Sequence, residues 1–498
     1  MRDFSKYDSA FCANIPIHII NAVQSYGVLL VVDKKNGDIV QLSENADQLF
    51  LMPARKMAGR LFSEFVSLAH VPANWISETG RYNIVLDIGA QEHDAILHVD
   101  EKQLTIEIEL ASIAPNQQNA IDFFREIKAP MEQIEKAETL PALCTIAADV
   151  LKRLSGFDKV MIYSFDEDWN GFVLAEAREP DMESYLGFTF PAADIPKPAR
   201  DLYLRNAYRC IPDREAPSVP LYPIVHPLTE TFLDMSLCNL RAVPTVHLEY
   251  LKNMRVGASM SVRLLRHGEL WGLIACHHKT AYASNGRQKA LFELFSGVIS
   301  ARITELENQQ LHQQHSRLAS LYAALIDGVN QSTSMMDALL YGKPNVLELF
   351  NADGAIAVHH QQSKSVGTAP EAELLKDLLL WLHVKQLRKI YQTDVLPSVY
   401  EMNEDQKPLI SGLLAIPIRA SEDEYLLLFR KEVKRTTNWG GNPAERIFFE
   451  KDPQQFHPRH SFQLWQEHVS GSSPAWTYEE QQLAEKLRLF VLQQAMKG

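Results

Sequence analysis

The sequence predicts an α+β chain of three tandem domains, each an antiparallel sheet with flanking helices, joined by a long connecting helix. The length of 498 residues suggests about three domains rather than one. Short strand-like runs recur along the chain, several joined by tight turns, which favours antiparallel pairing. Beyond Arg287 apolar residues hold a helical spacing for longer than one domain needs.

In the first block, GVLLVVD and IVQL flank Asn36-Gly37, a pair that tolerates the positive backbone angles of a tight hairpin. Strands are expected at 82–88, 95–99 and 104–110, the last alternating Leu104, Ile106, Ile108 and Leu110 with Thr and Glu. The first ~120 residues therefore read as an α+β domain with an antiparallel sheet. The polar run from Pro115 to Asn119 marks its boundary.

The second block opens with a helical stretch at 134–154, followed by strands at 159–165, 172–178, 258–265 and 270–277. A turn containing Gly268 joins the last two. Between them, residues 187–244 are rich in Pro, Arg and aromatics and too long for a passive connection, which makes them a ligand-binding insertion. From Arg287 to Leu325, Leu291, Leu294, Phe295, Val298, Ile299, Ile303, Leu306, Leu318 and Leu321 follow helical spacing. Such a helix would run roughly 58 Å at 1.5 Å per residue, enough to link two domains or pair with another chain.

The third block, residues 322–475, mixes a helix at 371–389 with strands at 413–418 and 425–429. Residues 434–473 carry Trp439-Gly440-Gly441 and Pro458-Arg459-His460-Ser461-Phe462 without a period that settles as one strand or helix. Thr477 and Glu480 form a capping box before Leu483, Leu487, Phe490 and Val491, a final helix expected to lead into a further domain.

Composition narrows the function. A net charge of −13 argues against a broad electrostatic grip on nucleic acid or anionic membrane. Five dispersed cysteines without a C-x-x-C pair fit a reducing cytoplasm and offer no zinc site. No apolar run approaches a bilayer span, and the polar start lacks a secretory leader. Phosphate-binding, dinucleotide, nucleophile-elbow and metalloprotease motifs are missing, so no catalytic residue is expected. His277-His278 would point to opposite faces of a strand, so no metal site is assigned there.

Phe190-Pro191-Ala192-Ala193-Asp194-Ile195-Pro196 and the following residues to Tyr203 resemble the bacteriophytochromes, red-light receptors carrying a linear tetrapyrrole. The resemblance continues in family order through residues 160–165, 239–243, 247–254 and 257–261, and through Trp439-Gly440-Gly441 and residues 458–462. It implies a PAS-GAF-PHY photosensory module: PAS with an N-terminal attachment segment at 1–118, GAF at 119–305, PHY at 306–476 with a tongue hairpin at about 434–473, and a linker helix at 477–498. A chromophore-free PAS/GAF ligand-binding or dimerisation module is the alternative, since fold does not fix function.

The resemblance implies biliverdin held by a thioether to Cys12, whose thiol is the nucleophile such an addition needs. Relatives that attach a bilin beside the pocket histidine use a cysteine where this chain has Val246. By the same resemblance, Arg209, Arg241, Ser259 and Ser261 bind the two propionates. Asp194 and His247 sit at the pyrrole nitrogens, and Asp194 can also cap the turn after it. Met161, Tyr163, Phe190, Ile195, Pro196, Tyr203 and Tyr250 surround the rings, and His278 meets the D-ring carbonyl. Signalling is assigned to Asp194, Trp439, Arg459 and Ser461: D-ring rotation disturbs an Arg459 to Asp194 contact, and the tongue refolds. The implied partners are a second copy in a parallel homodimer and an output domain, a histidine kinase or diguanylate cyclase outside this chain, or a response regulator. No nucleic acid or membrane is among them.

Overall fold

The computed structural model describes residues 16–67, 78–89, 91–112, 120–360, 362–443 and 461–495. The chain divides into two compact units, residues 1–306 with 438–465, and residues 307–437 with 466–498.

The first unit holds two sheets. One uses β1 (Ala22–Gln24), β2 (Gly27–Asp33), β3 (Ile39–Ser43), β4 (Gly80–Ile88), β5 (Gln91–Val99) and β6 (Gln103–Ser112). Asn36-Gly37 turns β2 into β3 as expected, with Gly37 at φ 80° and Asn36 Oδ1 accepting from the Asp38 amide at 3.1 Å. Val28, Leu30 and Val32 fill one core while Leu29 and Val31 fill another on the opposite face, so β2 is apolar throughout and shows no alternation.

This sheet is not made by the first ~120 residues alone. A strand from the long insertion, β11 (Ser218–Tyr222), lies between β1 and β3 in the order β1-β11-β3-β2-β6-β5-β4. The other edge of β1 bonds to the insertion again, Gln24 N donating to Leu240 O at 2.7 Å and Ala242 N to Ala22 O at 2.8 Å. The N-terminal strand is therefore gripped on both sides by residues some 200 positions later.

The middle sheet uses β7 (Lys159–Phe165), β8 (Gly171–Arg178), β9 (Thr189–Phe190), β10 (Tyr208–Ile211), β12 (Ala258–Arg266) and β13 (Glu269–His278), in the order β10-β12-β13-β7-β8-β9. It is continued by the ends of β19 (Arg435–Gly440) and β20 (Leu464–Val469) that fall in this unit, Trp439 pairing in parallel with Thr189. One helix was expected over 134–154; two are present, Ala120–Glu135 and Leu140–Ser155. The break comes where Thr139 caps the second helix by accepting from Ala142 N and Pro141 occupies its first turn, a place that needs no proline N–H.

The long helix runs from Gly286 to Gln331, past the expected end. Phe292, Phe295, Ile299 and Ile303 join the middle-sheet core, and Leu325 and Val329 join that of the second unit. The sheet of the second unit has the order β15-β14-β18-β17-β16, from β14 (Gly354–His359), β15 (Gln362–Gly367), β16 (Tyr391–Thr393), β17 (Gly412–Arg419) and β18 (Glu424–Arg430). The β14-β15 hairpin was not foreseen, because β15 is an exposed polar edge strand without an apolar period. The final helix, Tyr478–Ala495, has its capping box: Glu480 Oε2 accepts from Thr477 N at 2.8 Å and Thr477 Oγ1 accepts from Glu480 N at 3.2 Å. No helix among the described residues is long and apolar enough to cross a membrane.

Candidate functional site

Cross-strand register decides what the middle sheet presents on each face. Ser261 lies opposite Ala275 and Arg209, Ala275 opposite Met161, Leu273 opposite Tyr163, and His277 opposite Ser259 and Lys159. Directly opposed residues share a face, so Arg209, Ser259, Ser261, Met161, Tyr163 and His277 stand together. The other face carries Val160, Ile162, Met260 and Cys276 into the packed core against the helices.

The insertion closes over the first face. A short turn at Ala192–Asp194 and the helix Lys197–Arg205, entered through Pro196, bring Asp194, Ile195 and Tyr203 over it. Tyr203 Oη and Ser261 Oγ are 2.6 Å apart, and Tyr250 Oη donates to Asp194 Oδ2 at 3.0 Å. His247 and Tyr250 sit one turn apart on the helix Thr245–Asn253, with parallel rings 5.9 Å apart. Phe190, Tyr163 and Tyr185 pack together, and Phe462 meets Tyr250 edge-on at 5.0 Å. Gly440 is there for close approach: a Cβ on it would lie 2.7 Å from the Phe190 ring. Gly441 N donates to Gln463 O at 2.8 Å, joining the two arms of the hairpin, and Ser461 Oγ accepts from Gln463 N at 3.4 Å.

The electrostatics of this face are unusual. Arg209 donates to the carbonyls of Asn239, Arg241 and Ala242, and Arg241 donates to that of Met235. Neither guanidinium has a carboxylate within ion-pair distance among the described residues, and Arg241 Nε has no acceptor. Burial, reinforced by Arg209, pushes Arg241 down to about 9. Burial and the same arginine push His247 down to about 4. Burial, Lys159 and His247 push His277 down to about 3, and its Nδ1 has no partner. Both imidazoles are neutral at physiological pH.

The structure thus brings together Met161, Tyr163, Phe190, Asp194, Ile195, Tyr203, Arg209, Arg241, His247, Tyr250, Ser259 and Ser261, with Pro196 at the start of the helix that carries Tyr203 and Trp439 paired beside Phe190 at Thr189; Ser461 is placed only by its contact with Gln463. Cys12 and Arg459 lie outside the described residues. His278 is not brought to this face. It follows His277 in the strand, points the other way, stacks on Tyr282 at 4.7 Å, and its Nδ1 lies 3.1 Å from Thr280 O. The histidine on the pocket face is His277. Sequence reading also passed over Tyr185, Phe188 and Lys159, whose ammonium sits 3.9 Å from the Tyr185 ring centroid.

Comparison with known proteins gives three family models along the chain. The PAS fold model matches residues 12–111, the GAF domain model 139–303 and the phytochrome region model 318–497. Cyanobacterial phytochrome A of Nostoc sp. is 34% identical over 95% of this chain, which spans 63% of that relative, less than two thirds of its length. A bacteriophytochrome of Xanthomonas campestris pv. campestris is 32% identical over 97% of the chain and 78% of its own length. The solved structure of the Stigmatella aurantiaca phytochrome photosensory core module matches over 98% of this chain and 98% of its own at 31% identity, with a TM-score of 0.77. The chain belongs to the phytochrome family. It is a photosensory module of that family, a sensor of red and far-red light whose chromophore is a bilin.

The residues present fit such a group. A bilin carries two carboxylates, and this face supplies two guanidinium groups without an anionic partner among the described residues. It also carries polar ring edges, and this face offers an orphaned imidazole nitrogen at His277 amid aromatic walls.

Proposed function

We propose that this module takes biliverdin onto the pocket face of its middle sheet, tethered through a thioether to Cys12. The observation that carries the reading is the Arg209 and Arg241 pair. Two cations withdrawn from water without a counter-ion among the described residues are costly, and a dianionic ligand relieves both at once. Ser259 and Ser261 add hydroxyl donors beside them. Asp194 and His247 serve the pyrrole nitrogens, and His277, not His278, serves the carbonyl of the terminal ring.

When bound, biliverdin supplies the red absorption and the double bond that light isomerises. The protein holds the remaining rings still: Met161, Tyr163, Phe190, Ile195, Tyr203 and Tyr250 pack together on the pocket face, and Pro196 follows Ile195 there. Asp194 also offers the anion that Arg459 of the tongue engages, with Trp439, Ser461 and Phe462 docking the arms, so a change at the pocket reaches the hairpin. From there the helices carry it to an output unit, a histidine kinase or diguanylate cyclase, or to a response regulator, in a parallel homodimer. Four buried cysteines left as free thiols support a cytoplasmic setting.

Arg241→Gln and Arg209→Gln, titrated with biliverdin, test the reading. Each is expected to weaken uptake at least tenfold, since a charge-assisted contact to a carboxylate is lost. Unchanged uptake in both variants would remove the propionate assignment.

A further inference from the structure

We infer that the second unit carries a divalent transition-metal site at one end of its sheet, formed by His359, His360 and Glu424. In the ladder of β14 and β18, Val358 pairs with Tyr425, which brings the next residues, His359 and Glu424, side by side. His360 would ordinarily point away from its neighbour. It instead leaves the strand at φ 47°, a left-handed conformation uncommon for a residue with a side chain, and its ring comes to 4.0 Å from that of His359.

The three donor atoms converge. His359 Nδ1 is 2.6 Å and His360 Nδ1 3.5 Å from Glu424 Oε1, and all three lie within 4.8 Å of one another. Tetrahedral zinc with bonds near 2.0–2.2 Å places its ligands about 3.3–3.6 Å apart. The His360 pair already has that spacing, and the His359 pair reaches it by opening about 0.7 Å. The protein ligands leave a fourth position for water.

The carboxylate gives an independent reason. Glu424 is 1% exposed, and its Oε2 lies 2.7 Å from Arg419 Nε without an aligned hydrogen bond. The backbone N–H of His360 donates to Oε1 at 3.3 Å. A buried anion flanked by two imidazoles and one misaligned arginine has unused ligand capacity, and the imidazole and carboxylate donors suit zinc, cobalt or nickel rather than magnesium or calcium. Its effect would be to cross-link the ends of β14 and β18.

The test is zinc titration of the chelator-stripped chain against a chromogenic chelator. One equivalent per chain is expected, with at least a tenfold loss of affinity in His360→Asn, which keeps a residue that tolerates the left-handed backbone at a side chain that is 68% exposed. Glu424→Gln should lose affinity to a similar degree. His312→Ala, on the exposed face of the long helix, should bind as wild type does. Absence of a stoichiometric equivalent, or equal affinity in wild type and His360→Asn, overturns the site.

Discussion

At Ser259 the middle-sheet hairpin shows how one residue's register decides chemistry. Arg266 pairs with Glu269 across the His267-Gly268 turn, and an unbroken ladder from there would set Ser259 opposite Cys276. That register would put His278 on the face of the serines. A bulge between Leu264 and Leu265 shifts the pairing by one, so that Ser259 faces His277 and His278 turns into the core side. A bulge leaves little trace in sequence, which is why the histidine of this face was not legible while Arg209, Ser259 and Ser261 were. His277→Ala should shift the red absorption maximum and lower photoconversion yield, whereas His278→Ala should leave the spectrum near wild type. The reverse pattern in absorption spectra of the two bilin-loaded variants would place the ring contact on the other face.

Among elements, the two arms of the hairpin and the final helix depend on a few contacts each. Phe462 is buried against Tyr250, and Gly440 admits the Phe190 ring. Phe462→Ala removes an aromatic anchor and leaves a cavity. The arms should then be cleaved several-fold faster in limited proteolysis, with the pocket helices retained; an unchanged cleavage rate would show that the anchor lies elsewhere. The final helix is fixed at its start by Arg430, which donates to Glu480 Oε1 at 2.6 Å and to the carbonyls of Phe350 and Ala475, beneath the Trp476 ring. Both members of this ion pair are more than nine-tenths buried. Glu480→Ala should destabilise the chain by about 3–5 kcal/mol in urea unfolding, because it strands a buried guanidinium and removes a cap. Arg430→Met with Glu480→Leu should recover much of that loss. The capping box itself was readable from Thr477 and Glu480, but its arginine partner 50 residues earlier was not.

Over the whole molecule, local signals carried the three-sheet plan. The Asn36-Gly37 hairpin, the alternation in β6, the apolar runs of β7 and the helical spacing from Leu291 onward are decided by near neighbours. What escaped depends on distant partners: β11 crosses into the first sheet, and β1 is held between segments near residues 220 and 241. No period within Ser218–Tyr222 names the sheet it will join. That interleaving binds β1 to the pocket domain on both of its edges.

The most direct measurement is absorption spectroscopy of the chain expressed with biliverdin, under alternating red and far-red light and beside Cys12→Ala. Wild type should show a reversible red/far-red difference spectrum and keep its pigment on a denaturing gel, and the variant should lose that covalent band. A wild-type chain that stays colourless with pigment in excess, or shows no photoreversible change, would contradict the account.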